Sequence, residues 1–222
     1  MDEIVKLALA KWPDVPDCTG WLALDARGRW RIGEANDGPR QPITNAAMNG
    51  FINRNYFANG RHWIFQNGPQ RVFVELEYTP FVWRLSPRED GQWSLVAQTG
   101  VAAEPRGLWL DDAGRFLVEA DPPSSAASGS PWIGVVHDHD TALVAELLRD
   151  DAGNALEDDV LTRLVETDTA TVGTPRLRWP RADRDEAAVL PLQRIPAHQV
   201  PIRFDFEPNP SVALKLDVDT RR

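Results

Sequence analysis

The stretch with the most chemical promise is His137-Asp138-His139-Asp140. On a strand, His137 and His139 would share one face, which is how two imidazoles reach a single metal ion, with Asp140 as a neighbouring carboxylate. The competing explanation is a polar strand end that feeds a helix capped by Asp140. It is preferred because a metal site needs a third ligand, and the other histidines, His62 and His198, lie far away in sequence. The expectation is therefore no bound metal and no cofactor.

The pair resembles the paired histidines of metallo-β-lactamase-like hydrolases. Those enzymes carry an Asp-His pair shortly after the second histidine, where this chain has Thr141-Ala142. His139-Asp140-Thr141 is also similar to one half of the H-x-[ST] signature of two-histidine phosphoesterases, but neither His62-Trp63-Ile64 nor His198-Gln199-Val200 supplies the second half. The sequence has no G-x-x-x-x-G-K-[ST] phosphate loop, no G-x-G-x-x-G after a strand, no H-E-x-x-H helix and no G-x-S-x-G elbow. Ser130 follows Gly129 but precedes Pro131, which cannot continue a strand-to-helix elbow. No residue is assigned a catalytic role. A metal-dependent hydrolase using His137 and His139 is the runner-up to a non-enzymatic binding or interaction module, with signalling as a suggested setting.

Binding modules recognise partners through aromatic and arginine anchors. Of nine tryptophans, Trp21, Trp30, Trp63, Trp83, Trp93 and Trp109 fall in expected strands, where core packing accounts for them. Trp12, Trp132 and Trp179 lie near prolines or loops. With Arg54 and Arg178 they form the candidate contact set.

Charge narrows the partners. Lys and Arg total 24 against 33 Asp and Glu, a net charge of -9, which repels nucleic acid and anionic lipid in the absence of a basic patch. The expected partner is a protein, a second copy of the chain included, or a small molecule. The single cysteine, Cys18, excludes an internal disulfide, and no cationic neighbour in sequence activates it. No run of eighteen apolar residues occurs, and the N-terminus opens on acids rather than on a signal-peptide pattern. A reducing cytoplasm is the expected compartment.

The elements that would position these groups follow from periodicity. Ile4, Leu7, Ala8 and Lys11 fall at helical spacing before Pro13, giving a short amphipathic helix. "GWLALDARGRWRIG" reads as a hairpin in which Leu22 and Leu24 alternate before Asp25-Ala26-Arg27-Gly28, and Trp30 and Ile32 alternate after it; Gly28 supplies the positive φ. "LWLDDAGRFLV" repeats the device at Asp111 to Gly114, and "WRLSPREDGQWSLV" is a third version with a turn two residues longer. A helix is expected from near Thr44 to before Tyr56. The rings of "GRHWIFQNGPQRVFVELEYTPFVWRL" alternate because two strands flank a turn at Asn67-Gly68, with Val72, Val74, Leu76 and Tyr78 facing the core. "WIGVV" is a strand, "TALVAELLRD" and "LEDDVLTRLVE" are helices, and "VPIRFDFEP" and "SVALKLDVD" are strands. The sum is an α+β protein with antiparallel sheets built from β-hairpins and a few packed helices. It is expected to form two similar-sized halves, residues 1–121 and 132–222, joined by the small-residue segment 122–131, "PPSSAASGSP".

The succession of "GWLALDARGRWRIG", a helix ending "FINRNY", "FQNGPQRVFVELEYTPFVWRL" and "LVAQTG" resembles uncharacterised proteobacterial families built on repeated sheet-and-helix units. The likeness covers about residues 15 to 120. Thr79-Pro80-Phe81-Val82 keeps part of a T-P-V-E stretch and P-F-V strand found in one such family. The resemblance implies a sheet-rich fold with a signalling or interaction role and carries no catalytic residues.

Overall fold

A computed structural model describes residues 1–34, 38–121, 132–157, 160–166, 173–180 and 187–210. The chain divides into two compact units. The first comprises Met1–Pro80, Gln98–Gly100 and Phe204–Arg222, and the second Phe81–Ala97 and Val101–Arg203. This differs from the expected halves. Segment 122–131 lies outside the described residues, but the strands on either side of it pair with each other, Leu117 opposite Val135 and Ala120 opposite Trp132.

The first unit is a six-stranded sheet with two helices. In chain order its elements are α1 (Glu3–Lys11), β1 (Cys18–Leu24), β2 (Trp30–Ile32), β3 (Gln41–Pro42), α2 (Ala46–Arg54), β4 (Tyr56–Asn59), β5 (His62–Asn67) and β6 (Gln70–Leu76). The strand order is β3-β2-β1-β6-β5-β4. The sheet is mixed rather than wholly antiparallel, because β1 and β6 run parallel, Leu22 beside Val74 and Leu24 beside Leu76. Strands β5 and β6 are covered on both faces over their middle residues: Trp63 to Gln66 are buried in succession, and so are Val72, Phe73 and Val74. Continuous apolar runs of this kind mark strands without a solvent face. Helix α1 presents Val5 to the protein and leaves Ile4 and Leu7 exposed at 73% and 65%. Ile4 and Val5 are about 100° apart around a helix, so the expected face is turned by one residue. Asn45 caps α2, its side chain accepting the Met48 N–H at 2.9 Å.

The second unit contains β7 (Phe81–Pro87), β8 (Trp93–Ala97), β9 (Ala102–Asp111), β10 (Phe116–Asp121), β11 (Trp132–Val136), α3 (Thr141–Leu147), β12 (Leu148–Arg149), α4 (Val160–Glu166), β13 (Arg176–Trp179), β14 (Ala188–Ile195) and α5 (Val200–Arg203). Strands β7 to β11 close into a five-stranded barrel. Antiparallel pairs run from β7 through β11, and a parallel β11–β7 contact completes the ring. The long β9 also pairs in parallel with β14, which carries β13 and β12 outward. Inside, Phe81 stacks on Trp132 at 4.4 Å between centroids and on Trp83 at 5.6 Å. Gly134 is required where it stands, because a Cβ there would collide with the Trp83 indole and with Phe81 O. Two segments depart from expectation. The helix after Thr141 stops at Leu147, and residues 200–203 are helical rather than extended. Pro201 has no N–H to offer a ladder but fits a first helical turn. The expected strand at 211–219 lies outside the described residues.

One backbone device recurs in four places. Residues Asp25, Arg88, Asp111 and Asp150 each donate their N–H to the carbonyl four residues on, and each accepts the N–H of the glycine three residues on. Gly28, Gly91, Gly114 and Gly153 all have φ between 75° and 87°, a region that costs glycine little. The third hairpin thus has the same turn as the first two, and its strands simply run further, with Pro87 opposite Trp93.

Candidate functional site

The four turns act as internal controls, since any residue that one copy has beyond the needs of the turn calls for another explanation. In the Asp111 copy the carboxylate is fully buried; Oδ1 accepts the N–H groups of Ala113 and Arg115 at 2.9 and 2.8 Å, and Oδ2 accepts from Arg115 Nε at 2.7 Å. Asp25, 4% exposed, repeats this with Arg27 N, Arg29 N and Arg29 Nε at 3.0, 2.9 and 2.8 Å. It then accepts Arg31 Nε at 3.0 Å, from a position at which the other copy carries no arginine. The position matching Arg31 is Leu117, which is fully buried. Burial pushes the Asp25 carboxyl up, but the Arg29 N–H, the Arg31 and Arg29 guanidiniums and the Arg27 N–H outweigh it and hold the group below its ordinary value.

Arg31 opens onto a 460 Å³ pocket at the carboxyl ends of the parallel strands β1 and β6. Leu24 and Leu76 line it, and its charged wall holds Asp25, Arg31, Arg40, Glu75 and Glu77. Arg31 Nη1 donates to Arg40 O at 3.0 Å, while Arg40 reaches Gly33 O through Nε, Gly20 O through Nη2 and Glu75 Oε2 at 2.8 Å. Glu77 Oε2 accepts the Ala26 N–H at 3.1 Å. Among the described residues, Arg31 Nη2 and Arg40 Nη1 have no hydrogen bond. The wall therefore offers unspent guanidinium nitrogens beside carboxylates, a surface suited to a molecule carrying charge of both signs. None of these residues was singled out from sequence, since the set is assembled from positions 25 to 77. The available signal was Arg31, the arginine that the matching hairpin replaces with leucine.

The residues expected to form a site are divided between the two units. Trp12 is 51% exposed and carries the Lys11 ammonium over its ring at 4.5 Å. Arg54 is committed to Asp2, Nε to Oδ1 at 3.0 Å, so it ties the start of α1 to the end of α2. Trp132 and Trp179 are core residues, 8% and 4% exposed, which removes them as external anchors; Arg178 is exposed on β13. Trp21, assigned to the core from sequence, is 46% exposed. Burial raises the pKa of the Cys18 thiol, in keeping with an unactivated cysteine.

At the end of β11, residues 138–140 form a 3₁₀ turn rather than continuing the strand. His137, Asp138 and His139 bring their ligand atoms within 4.8 Å of one another. His137 Nδ1 accepts the His139 N–H at 3.2 Å and lies 2.8 Å from Asp138 Oδ1. Burial, then the nearby Arg84 charge, lower the His137 pKa against the pull of Asp138. Asp140, expected as helix cap and candidate ligand, instead accepts from Arg84 Nε at 2.6 Å and from the buried Leu85 N–H at 3.0 Å. Its carboxylate fixes β7.

Among the described residues no helix is long and apolar enough to cross a membrane. No curated protein matches the chain. Two solved structures are similar to it. One is a DUF1285 family protein from Silicibacter pomeroyi DSS-3, 13% identical, with a TM-score of 0.48 over 86% of this chain and 95% of that one. The other is a DUF1285 family protein from Shewanella baltica OS155, also 13% identical, with a TM-score of 0.37 over 55% and 87%. A family model described as "Protein of unknown function (DUF2946)" matches residues 1–211, well beyond the stretch over which a family resemblance was expected. The chain belongs to that family of unknown function, DUF2946.

Proposed function

We propose that this protein is a non-enzymatic small-molecule-binding module and that its ligand occupies the charged pocket at the ends of β1 and β6. The observation that carries this reading is Arg31, a guanidinium beyond the needs of its turn, held on the buried Asp25 with Nη2 making no hydrogen bond among the described residues. A volume of 460 Å³ falls in the range of about 300–1,000 Å³ typical of small-molecule sites. The lining supports one ligand class. A carboxylate would be taken by Arg31 and Arg40, an ammonium by Glu75 and Glu77, and a short apolar side chain would lie along Leu24 and Leu76. A free α-amino acid fits that description. The test is a thermal-shift panel of the free L-amino acids beside their N-acetyl amides, which keep the side chain and lose both charges. At least one free amino acid should raise the melting temperature with concentration while its blocked form does not. A panel without a response, or equal responses to blocked and free forms, refutes the reading.

The second reading, a divalent metal used in hydrolysis, is favoured by the gathering of His137, Asp138 and His139. It ranks lower because Nδ1 of His137 already accepts a backbone N–H and because the Arg84 charge lies close enough to lower the His137 pKa. Elemental analysis of the purified protein decides it: about one zinc or manganese per chain, lost on changing both histidines to alanine, would place this reading first.

A further inference from the structure

The two glutamates on the wall of the charged pocket are not equivalent. Glu75 and Glu77 stand two residues apart at the end of β6, a spacing that places both side chains on the same side of the strand, and both line the pocket. Glu75 Oε2 holds Arg40 Nη2 at 2.8 Å, and the side chains of that pair are largely covered, 19% and 14% exposed. Its charge is already neutralised. A ligand ammonium would have to displace Arg40, which is itself fixed by its bonds to Gly33 O and Gly20 O. Glu77 is held differently. Its N–H donates to Leu24 O at 3.0 Å and its Oε2 accepts the Ala26 N–H at 3.1 Å, so backbone and side chain both tie it to the turn that follows β1. The residue is exposed, and among the described residues its Oε1 makes no hydrogen bond and no cation pairs with its charge. An oriented, accessible and unneutralised carboxylate beside two guanidinium groups suits an ammonium that is carried next to a carboxylate.

We infer that Glu77 is the specificity-determining residue of this pocket, its Oε1 accepting an N–H of the α-ammonium of an amino acid whose carboxylate lies on Arg31 and Arg40. Glu75 is a positioning residue that acts through Arg40. This rests on the amino-acid reading of the pocket and narrows it, because the distinction between an amino acid and the des-amino acid with the same side chain is concentrated on one carboxylate, while Glu75 serves capture of the ligand carboxylate. Glu77 is open to water, so its attraction for the ammonium is screened and the preference it confers is about three- to tenfold.

The test is isothermal titration of the full chain with three matched pairs: L-alanine and propanoate, L-valine and 3-methylbutanoate, L-leucine and 4-methylpentanoate. The wild type should prefer at least one amino acid over its des-amino partner by at least about threefold. Glu77→Gln, whose amide oxygen still accepts the Ala26 N–H, should abolish that preference by weakening the amino acid and leaving the des-amino acid unchanged. Glu75→Gln should weaken both members of the pair alike and keep their ratio. A ratio unchanged in Glu77→Gln, or one lost in Glu75→Gln instead, overturns the inference while the amino-acid reading stands. Equal affinity of the wild type for both members of every pair also overturns it. So does the absence of binding by all six compounds at millimolar concentration, in which case the thermal-shift panel decides whether the amino-acid reading falls as well.

Discussion

Asp25→Asn separates the turn from the charge it holds. Asparagine keeps an Oδ1 acceptor for Arg27 N and Arg29 N, so the turn survives; the substitution removes the negative charge shared by Arg29 Nε at 2.8 Å and Arg31 Nε at 3.0 Å. The Arg29 side chain is 52% exposed, and solvent screening leaves that pair about 0.2–1 kcal/mol. Arg31 is 31% exposed, and its charge-assisted bond to a buried carboxylate contributes about 1–2 kcal/mol after the same discount. The expected loss at neutral pH is about 1–3 kcal/mol, or about 3–10 °C in melting temperature for a chain of this size. Urea midpoints read it directly. The sign of the pH dependence follows from the depressed folded-state pKa of Asp25. The folded state binds its proton more weakly than the unfolded chain, so the stabilisation is full above the ordinary Asp value of about 3.9 and is lost as pH falls through the lower folded value. Wild type and variant should therefore differ at pH 7 and converge in acid. A difference below ~0.5 kcal/mol at pH 7, or one that persists unchanged below the ordinary carboxylate range, would refute the reasoning.

Two further predictions concern the barrel unit. Gly134→Ala drives a methyl group into the Trp83 indole, whose Nε1 donates to Val118 O at 2.9 Å, and should cost about 3–5 kcal/mol from overpacking and the strained hydrogen bond; chemical denaturation showing less than ~1 kcal/mol would mean the ring has room to move. Asp140→Ala removes the partner of Arg84 and leaves the buried Leu85 N–H without its acceptor, an expected loss of about 2–4 kcal/mol. Asp140→Asn keeps an acceptor for Leu85 and should recover part of that loss, and equal destabilisation by the two would show that the backbone contact contributes little.

The parts of the fold that local pattern controls were legible in the sequence. Alternation around D-x-x-G located the hairpins, and Asn67-Gly68 lies at the reversal between β5 and β6. Long-range pairing was not legible. Nothing local announces that β1 runs parallel to β6, that β11 closes a barrel onto β7, or that the strands bordering segment 122–131 share a sheet. Helix α1 shows a second limit, since Val5 and Leu7 are equally apolar and only the surface beneath decides which one faces inward. Trp132 and Trp179 were read as exposed because prolines flank them, yet proline governs backbone direction and says little about where the ring points. The site itself was the least legible part. Five charged side chains contributed by four separate stretches line it, and each stretch by itself reads as an ordinary solvated surface.

The account depends most on Arg31 as a ligand-binding group. Isothermal titration of the wild type and of Arg31→Leu, the residue that the matching Asp111 hairpin carries at Leu117, with the free amino acid that gives the strongest thermal shift tests it most directly. Loss of one charge-assisted contact to a carboxylate should weaken binding by about 1.5–3 kcal/mol, roughly ten- to over a hundredfold, while the variant unfolds within about 2 kcal/mol of the wild type because the turn bonds of Asp25 remain. Unchanged affinity in Arg31→Leu, or the absence of any binding amino acid, would contradict the account.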